Sequence, residues 1–112
     1  MPFCYARFVK HVQAAAALDA LGNPVRLELY RTLVRAGTPG LNITDLQVKV
    51  GGIPRSTLAH HLQKLSLADL IHQEKEGASV LSRANYAAMN ALVGYLTEEC
   101  CVDECRTQEE AA

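Results

Sequence analysis

The 112-residue chain has no apolar run near the ~20 residues that span a bilayer. It also has no apolar segment following a basic start. The first absence excludes a transmembrane helix. The second predicts no signal peptide, so the expected compartment is the cytoplasm and no membrane partner is expected. Cysteine is absent from residues 5–99, and the four present are Cys4, Cys100, Cys101 and Cys105. A disulfide framework spread through the fold is therefore excluded. Three thiols within six positions near the end of the chain point instead to metal or redox chemistry. Net charge is scarce too, −1 overall. There is no internal repeat, no low-complexity tract and no second domain, so residues 1–112 are read as one domain.

The small net charge conceals an asymmetry. Residues 1–97 carry +4 and residues 98–112 carry −5, a mildly basic body with an acidic tail. Such a body permits nucleic-acid binding without requiring it. With 49% hydrophobic and 21% charged residues, the chain can bury a single core without staples.

Apolar periodicity supplies the elements. Residues 5–21 are Ala-rich, with Phe8, Val12, Ala15 and Leu18 at helical spacing. Gly22 stops that helix, and Asn23-Pro24 opens a second with Asn23 as N-cap. Val25, Leu29, Thr32 and Leu33 form the second helix's stripe, and Gly37, Pro39 and Gly40 end it. Thr44 is the expected cap of a short third helix with Leu46 and Val50 inward. Gly51-Gly52 makes a tight turn. A fourth helix runs from near Pro54 to about Leu67, with Leu58, Leu62 and Leu65 on its core face.

Alternation then replaces the helical period through Ile71–Glu76, Gly77 breaks it, and Val80–Ser82 resume it, which reads as a β-hairpin. Asn85 can cap a last helix carrying Met89, Leu92, Val93, Leu96 and Cys100 on its apolar side. The expected fold is mainly α with a small β-hairpin, a winged helix-turn-helix in the order α1-α2-α3-α4-hairpin-α5. The helix-turn-helix spans about 44–67, the wing about 70–83, the C-terminal helix about 85–101 and the cysteine tail 100–112.

With the leucines of the fourth helix inward, Ser56, Ala59, His60 and Gln63 point outward, flanked by Thr57 and Lys64, with Arg55 in the first turn. Hydroxyls, an imidazole, an amide and a guanidinium suit base edges and phosphates of a major groove. By itself that face reads as a solvated one. The short helix, the glycine turn and the hairpin around it favour DNA. His61 lies nearer the core and reads as a packing residue. Lys75 and Arg83 are the wing's available phosphate partners, opposed by Glu74 and Glu76. Lys10, Arg26, Arg31 and Arg35 read as solvated.

Two segments carry a specific resemblance. ALDALGNPVRLELYRTL at 17–33 resembles the second helix of the ArsR/SmtB repressors. RSTLAHHLQKLSLADLI at 55–71 resembles their recognition helix and the start of their wing. The resemblance implies a homodimer joined through its first and last helices. It implies a repressor on an inverted-repeat operator that leaves the DNA on binding a thiophilic ion. Two departures stand out. Pro54 occupies the place of a capping serine. LNITDL at 41–46 occupies the place where the arsenic-responsive founders carry Cys-Val-Cys, so that inducer site is missing.

The tail offers another. Cys100 and Cys101 can chelate one soft ion, and Cys105 can supply a third thiolate. Three thiolates without a fourth ligand suit trivalent arsenic or antimony, whereas tetrahedral zinc wants four. The tail resembles those of family relatives with C-terminal cysteine clusters that respond to these ions. Cys4 could be a fourth ligand or an inert thiol. If the helix ran on, Cys100 would lie about 100° from Cys101 and Cys105, so an irregular end near Cys100 is expected. Thiol redox or persulfide sensing and zinc or cadmium sensing remain alternatives. So does a metalloid- or protein-binding module without DNA. No cofactor is expected for DNA binding.

An enzyme is not expected. Cys100 and Arg106 make a Cys-x5-Arg spacing, but the intervening loop lacks glycine and contains Asp103 and Glu104, which repel an oxyanion.

Overall fold

The computed structural model describes residues 10–104. Its helices are α1 (His11–Leu21), α2 (Pro24–Ala36), α3 (Ile43–Lys49), α4 (Arg55–Leu67) and α5 (Tyr86–Thr97). Its strands are β1 (Leu41–Asn42), which precedes α3, and β2 (Ile71–Glu76) and β3 (Ser79–Ala84), which lie between α4 and α5. Residues 5–9 of the expected first helix lie outside the described residues.

Asparagine starts three of the helices. The Asn23 side chain accepts from the Val25 and Arg26 amides, and Pro24 follows at the first helical position. Asn85 accepts from the Ala88 amide. Asn42, not Thr44, caps α3, accepting from the Asp45 amide at 2.8 Å. The helix begins one residue before Thr44, which leaves that hydroxyl free for another partner. Each such cap contributes ~1 kcal/mol. Pro54 stands at the N-cap of α4 without a side-chain cap.

The core is built from Leu29 and Leu33 of α2, Leu46 of α3, Leu58 and Leu65 of α4, and Leu70 just before β2, all fully buried. Each contributes ~1.5–3 kcal/mol by leaving water. Helix α1 presents Ala14, Ala17 and Ala20 to this core, so its backbone approaches closely. The larger Val12 and Leu18 face outward, 78% and 43% exposed.

The hairpin β2–β3 is antiparallel, with Ile71 opposite Ala84 and Glu76 opposite Ser79. A third strand, absent from the sequence reading, joins it in the order β1-β3-β2, with Leu41 opposite Ser82 and Asn42 opposite Leu81. Gly40 permits this pairing. Its φ is +70°, and a Cβ there would sit 2.6 Å from the Ser82 carbonyl oxygen.

The last helix ends earlier than expected, at Thr97 rather than about residue 101. Glu98 and Glu99 come next, and carboxylates are unfavourable at the negative end of a helix dipole. The Thr97 hydroxyl donates back to the Val93 carbonyl at 3.0 Å. A turn over Glu98–Cys101 follows, with Cys101 at φ +61°.

Candidate nucleic-acid interface and thiol pair

The turn between α3 and α4 is held from both sides. The Gly52 amide donates to the Gln47 carbonyl at 3.0 Å, and the Gln47 side-chain amide donates to the Ile53 carbonyl at 2.8 Å. Gly51 and Gly52 adopt φ +86° and +83°, a left-handed conformation open to glycine without strain. Arg55 Nη2 donates to the Thr44 hydroxyl at 2.5 Å and braces one helix on the other. Nothing in the spacing of Gln47 marked it as a clamp.

Burial of Leu58, Leu62 and Leu65 fixes the rotation of α4. It leaves Arg55, Ser56, Thr57, Ala59, His60, Gln63 and Lys64 exposed together on the outer side. His61 is half-buried beside α2, with Nδ1 3.4 Å from Arg26 Nη1. Burial, then the Arg26 charge, then His60 and Lys64 hold its pKa below the ordinary imidazole value. Burial and the nearby cation thus both favour the neutral ring.

Arg26 is not simply solvated, as the sequence reading had it. Its Nε donates to the Ala20 carbonyl at 2.7 Å, so one side chain of α2 ties the end of α1 to the flank of α4. The signal that could have revealed it is its place in the first turn after a Gly-Asn-Pro corner, within reach of the preceding helix's last carbonyls.

In the wing, Lys75 is exposed near the tip. Arg83 is not the open phosphate partner that the sequence suggested. It forms an ion pair with Glu74 at 3.0 Å, two residues of adjacent strands that meet on one face.

Beyond α5, Cys100 and Cys101 are exposed, with their sulfurs 3.5 Å apart. One ion with sulfur bonds of about 2.3 Å can touch both. The Cys101 thiol is raised above its ordinary pKa, first by its hydrogen bond with Cys100 and also by Glu104. Cys4 and Cys105 lie outside the described residues. Among the described residues no three His, Cys, Asp or Glu side chains gather as a metal site.

The helix-turn-helix domain family matches residues 21–74, from the end of α1 to the middle of β2. The HTH-type transcriptional regulator YgaV of Escherichia coli (strain K12) is 29% identical over 89 residues, 80% of this chain and 87% of that protein. An ArsR-like transcriptional regulator from Rhodococcus sp. RHA1 superposes with a TM-score of 0.69 at 21% identity, covering 90% of this chain and 91% of that one. NolR from Sinorhizobium fredii superposes at 0.61 with 27% identity, covering 79% and 84%. The chain shares the winged helix-turn-helix fold of these proteins. Residues 41–46, compared above with the Cys-Val-Cys stretch of the arsenic-responsive repressors, form strand β1 and the first turn of α3, without a thiol. No helix among the described residues is long and apolar enough to cross a membrane.

Proposed function

We propose that this chain is a homodimeric transcriptional repressor that grips an inverted-repeat operator through α4. In this reading it releases the operator when trivalent arsenic or antimony binds the tail thiolates. The observation that carries the DNA-binding reading is the outer face of α4, seven exposed residues on a helix held to α3 by a glycine turn. Arg55, Ser56, Thr57 and Ala59 lie toward the N-terminal end, the part of a recognition helix that enters the major groove. His60, Gln63 and Lys64 extend the contact, and Lys75 of the wing reaches phosphate.

Dimerisation is supported by apolar side chains left uncovered on two adjoining helices. Val12 and Leu18 of α1 and Val93 and Leu96 of α5 are all exposed, the α5 pair by more than half. The two helices meet through His11 Nδ1 and the Tyr95 hydroxyl, 2.6 Å apart. Inducer binding is supported by the paired sulfurs of Cys100 and Cys101 in a non-helical turn, with Cys105 as the third thiolate and Cys4 a lesser candidate. An ion there must favour the released state of the dimer over the bound one, which is the only way it can shift the equilibrium. Thiolates must form, so binding releases protons and strengthens as pH rises.

A gel shift with the reduced protein and the DNA upstream of its own operon tests both halves. Salt-dependent binding is expected, and its absence makes the chain a binding module without DNA. Antimonite should release the wild-type complex and leave the Cys100→Ser/Cys101→Ser complex intact. Release of that double variant would place the inducer site elsewhere.

A further inference from the structure

We propose that a cleft between α2 and α5 is a binding site for a small apolar monoanion, an arylalkyl or medium-chain carboxylate. The cleft has a volume of about 400 Å³, within the range of small-molecule sites. Leu21, Leu27, Val34 and Met89 give it apolar walls. The remaining lining is Tyr30, Arg31 and Arg35, and among the described residues no carboxylate contributes.

The two arginines stand at i and i+4 of α2, one helical turn apart on one face. Like charges at that spacing repel, and both side chains are exposed. Among the described residues neither has an acidic partner, since the one ion pair there is Arg83 with Glu74. A bound carboxylate removes the repulsion, and guanidinium forks match its two oxygens. Tyr30 backs the cleft as a wall that is itself almost wholly buried, and its hydroxyl has no hydrogen-bond partner among the described residues. That phenol stays protonated well past neutral pH, so it adds no negative charge to repel the ligand.

The apolar walls select for a hydrocarbon body, and the arginine pair selects for a single negative charge at one end. Inorganic anions lack the first feature and alcohols the second. This site lies apart from the tail thiols and does not depend on the repressor reading.

Met89 provides the reporter, because the chain has only one other methionine, Met1. The full-length reduced protein, labelled at its methionine methyl groups, is titrated with 4-phenylbutyrate and, separately, with the neutral 4-phenylbutanol. The Met89→Leu variant assigns the signal. Phenylbutyrate should shift the Met89 methyl resonance saturably, at least ten-fold more tightly than phenylbutanol does. Arg31→Gln/Arg35→Gln should weaken the acid ten-fold or more and leave the alcohol unchanged. Both arginines are exposed, and thermal unfolding confirms that the variant is folded. An unmoved Met89 signal overturns the proposal. So does equal affinity for acid and alcohol, or equal affinity of the wild type and the double variant for the acid.

Discussion

Replacing Arg26 by Met should lower stability and raise the His61 pKa in one step, because a single guanidinium serves two helices. Arg26 Nε donates to the Ala20 carbonyl at 2.7 Å, and Nη1 lies 3.4 Å from His61 Nδ1. A hydrogen bond from a charged donor contributes ~1.5–3 kcal/mol. Arg26 is only half-buried, so water replaces part of that, and ~1–2 kcal/mol is expected. Methionine keeps the apolar stem, which limits the change to the polar interactions. For a domain of this size, thermal unfolding should then fall by roughly 4–8 °C.

The second effect has a definite sign. Burial and Arg26 both hold the folded-state pKa of His61 down, so removing Arg26 leaves burial and raises the pKa only part of the way. A lowered histidine pKa means that the unfolded chain binds the proton more readily. The stability it contributes is present above the unfolded value near 6.5 and is lost as pH falls toward the folded pKa. Arg26→Met should flatten that acid loss. Circular dichroism melts between pH 5 and 8, with the imidazole Cε1 proton of His61 followed by NMR, measure both effects. An unchanged melting temperature together with an unmoved His61 midpoint would refute the tie.

Leu58→Ala should cost ~2–5 kcal/mol in urea unfolding, whereas Leu67→Ala on the same helix, 79% exposed, should stay within ~0.5 kcal/mol. Equal losses would mean that α4 is rotated from the orientation described. Gly40→Ala should cost at least ~1–2 kcal/mol, because φ is +70° and the new Cβ meets a carbonyl that the sheet holds. Hydrogen exchange should show β1 released from β3 while the β2–β3 hairpin stays protected, and retained protection of β1 would contradict this. Burial pushes the Tyr30 hydroxyl up to about 12, so the folded chain keeps a proton that the unfolded chain loses near 10. Stability should fall as pH rises from about 10 towards 12, and Tyr30→Phe should blunt that fall in alkaline melts.

Features governed by neighbours in the chain were legible before any coordinates. Asn23-Pro24, Gly51-Gly52, the Leu58/Leu62/Leu65 face and the break at Gly77 each act over about two helical turns or less. The features missed depend on distant partners. Strand β1 has two residues and no alternation of its own, and it exists only because β3 lies alongside. The choice of Asn42 over Thr44 as cap follows from that pairing, since it sets where the chain leaves the sheet. The core face of α1 was obscured because alanine occupies both sides of the helix, and only packing picks Ala14, Ala17 and Ala20. Arg83 looked available because Glu74 is nine residues away in the chain and becomes its neighbour only across the hairpin. The end of α5 at Thr97 was within reach of sequence reasoning, but the apolar spacing through Cys100 outweighed the two glutamates.

The pairing of Leu41 with Ser82 has a consequence for how such a fold can be recombined. The segment from β1 through β3 leaves the body and returns to it at neighbouring positions, about 5 Å apart as antiparallel partners must be. It contains α3, the turn, α4 and the wing. A stretch with adjoining ends can be exchanged between relatives as one cartridge, leaving α1, α2 and α5 where they were. Its leucines must still fit the socket formed by Leu29 and Leu33. That fit, rather than the exposed face of α4, decides which swapped cartridges fold.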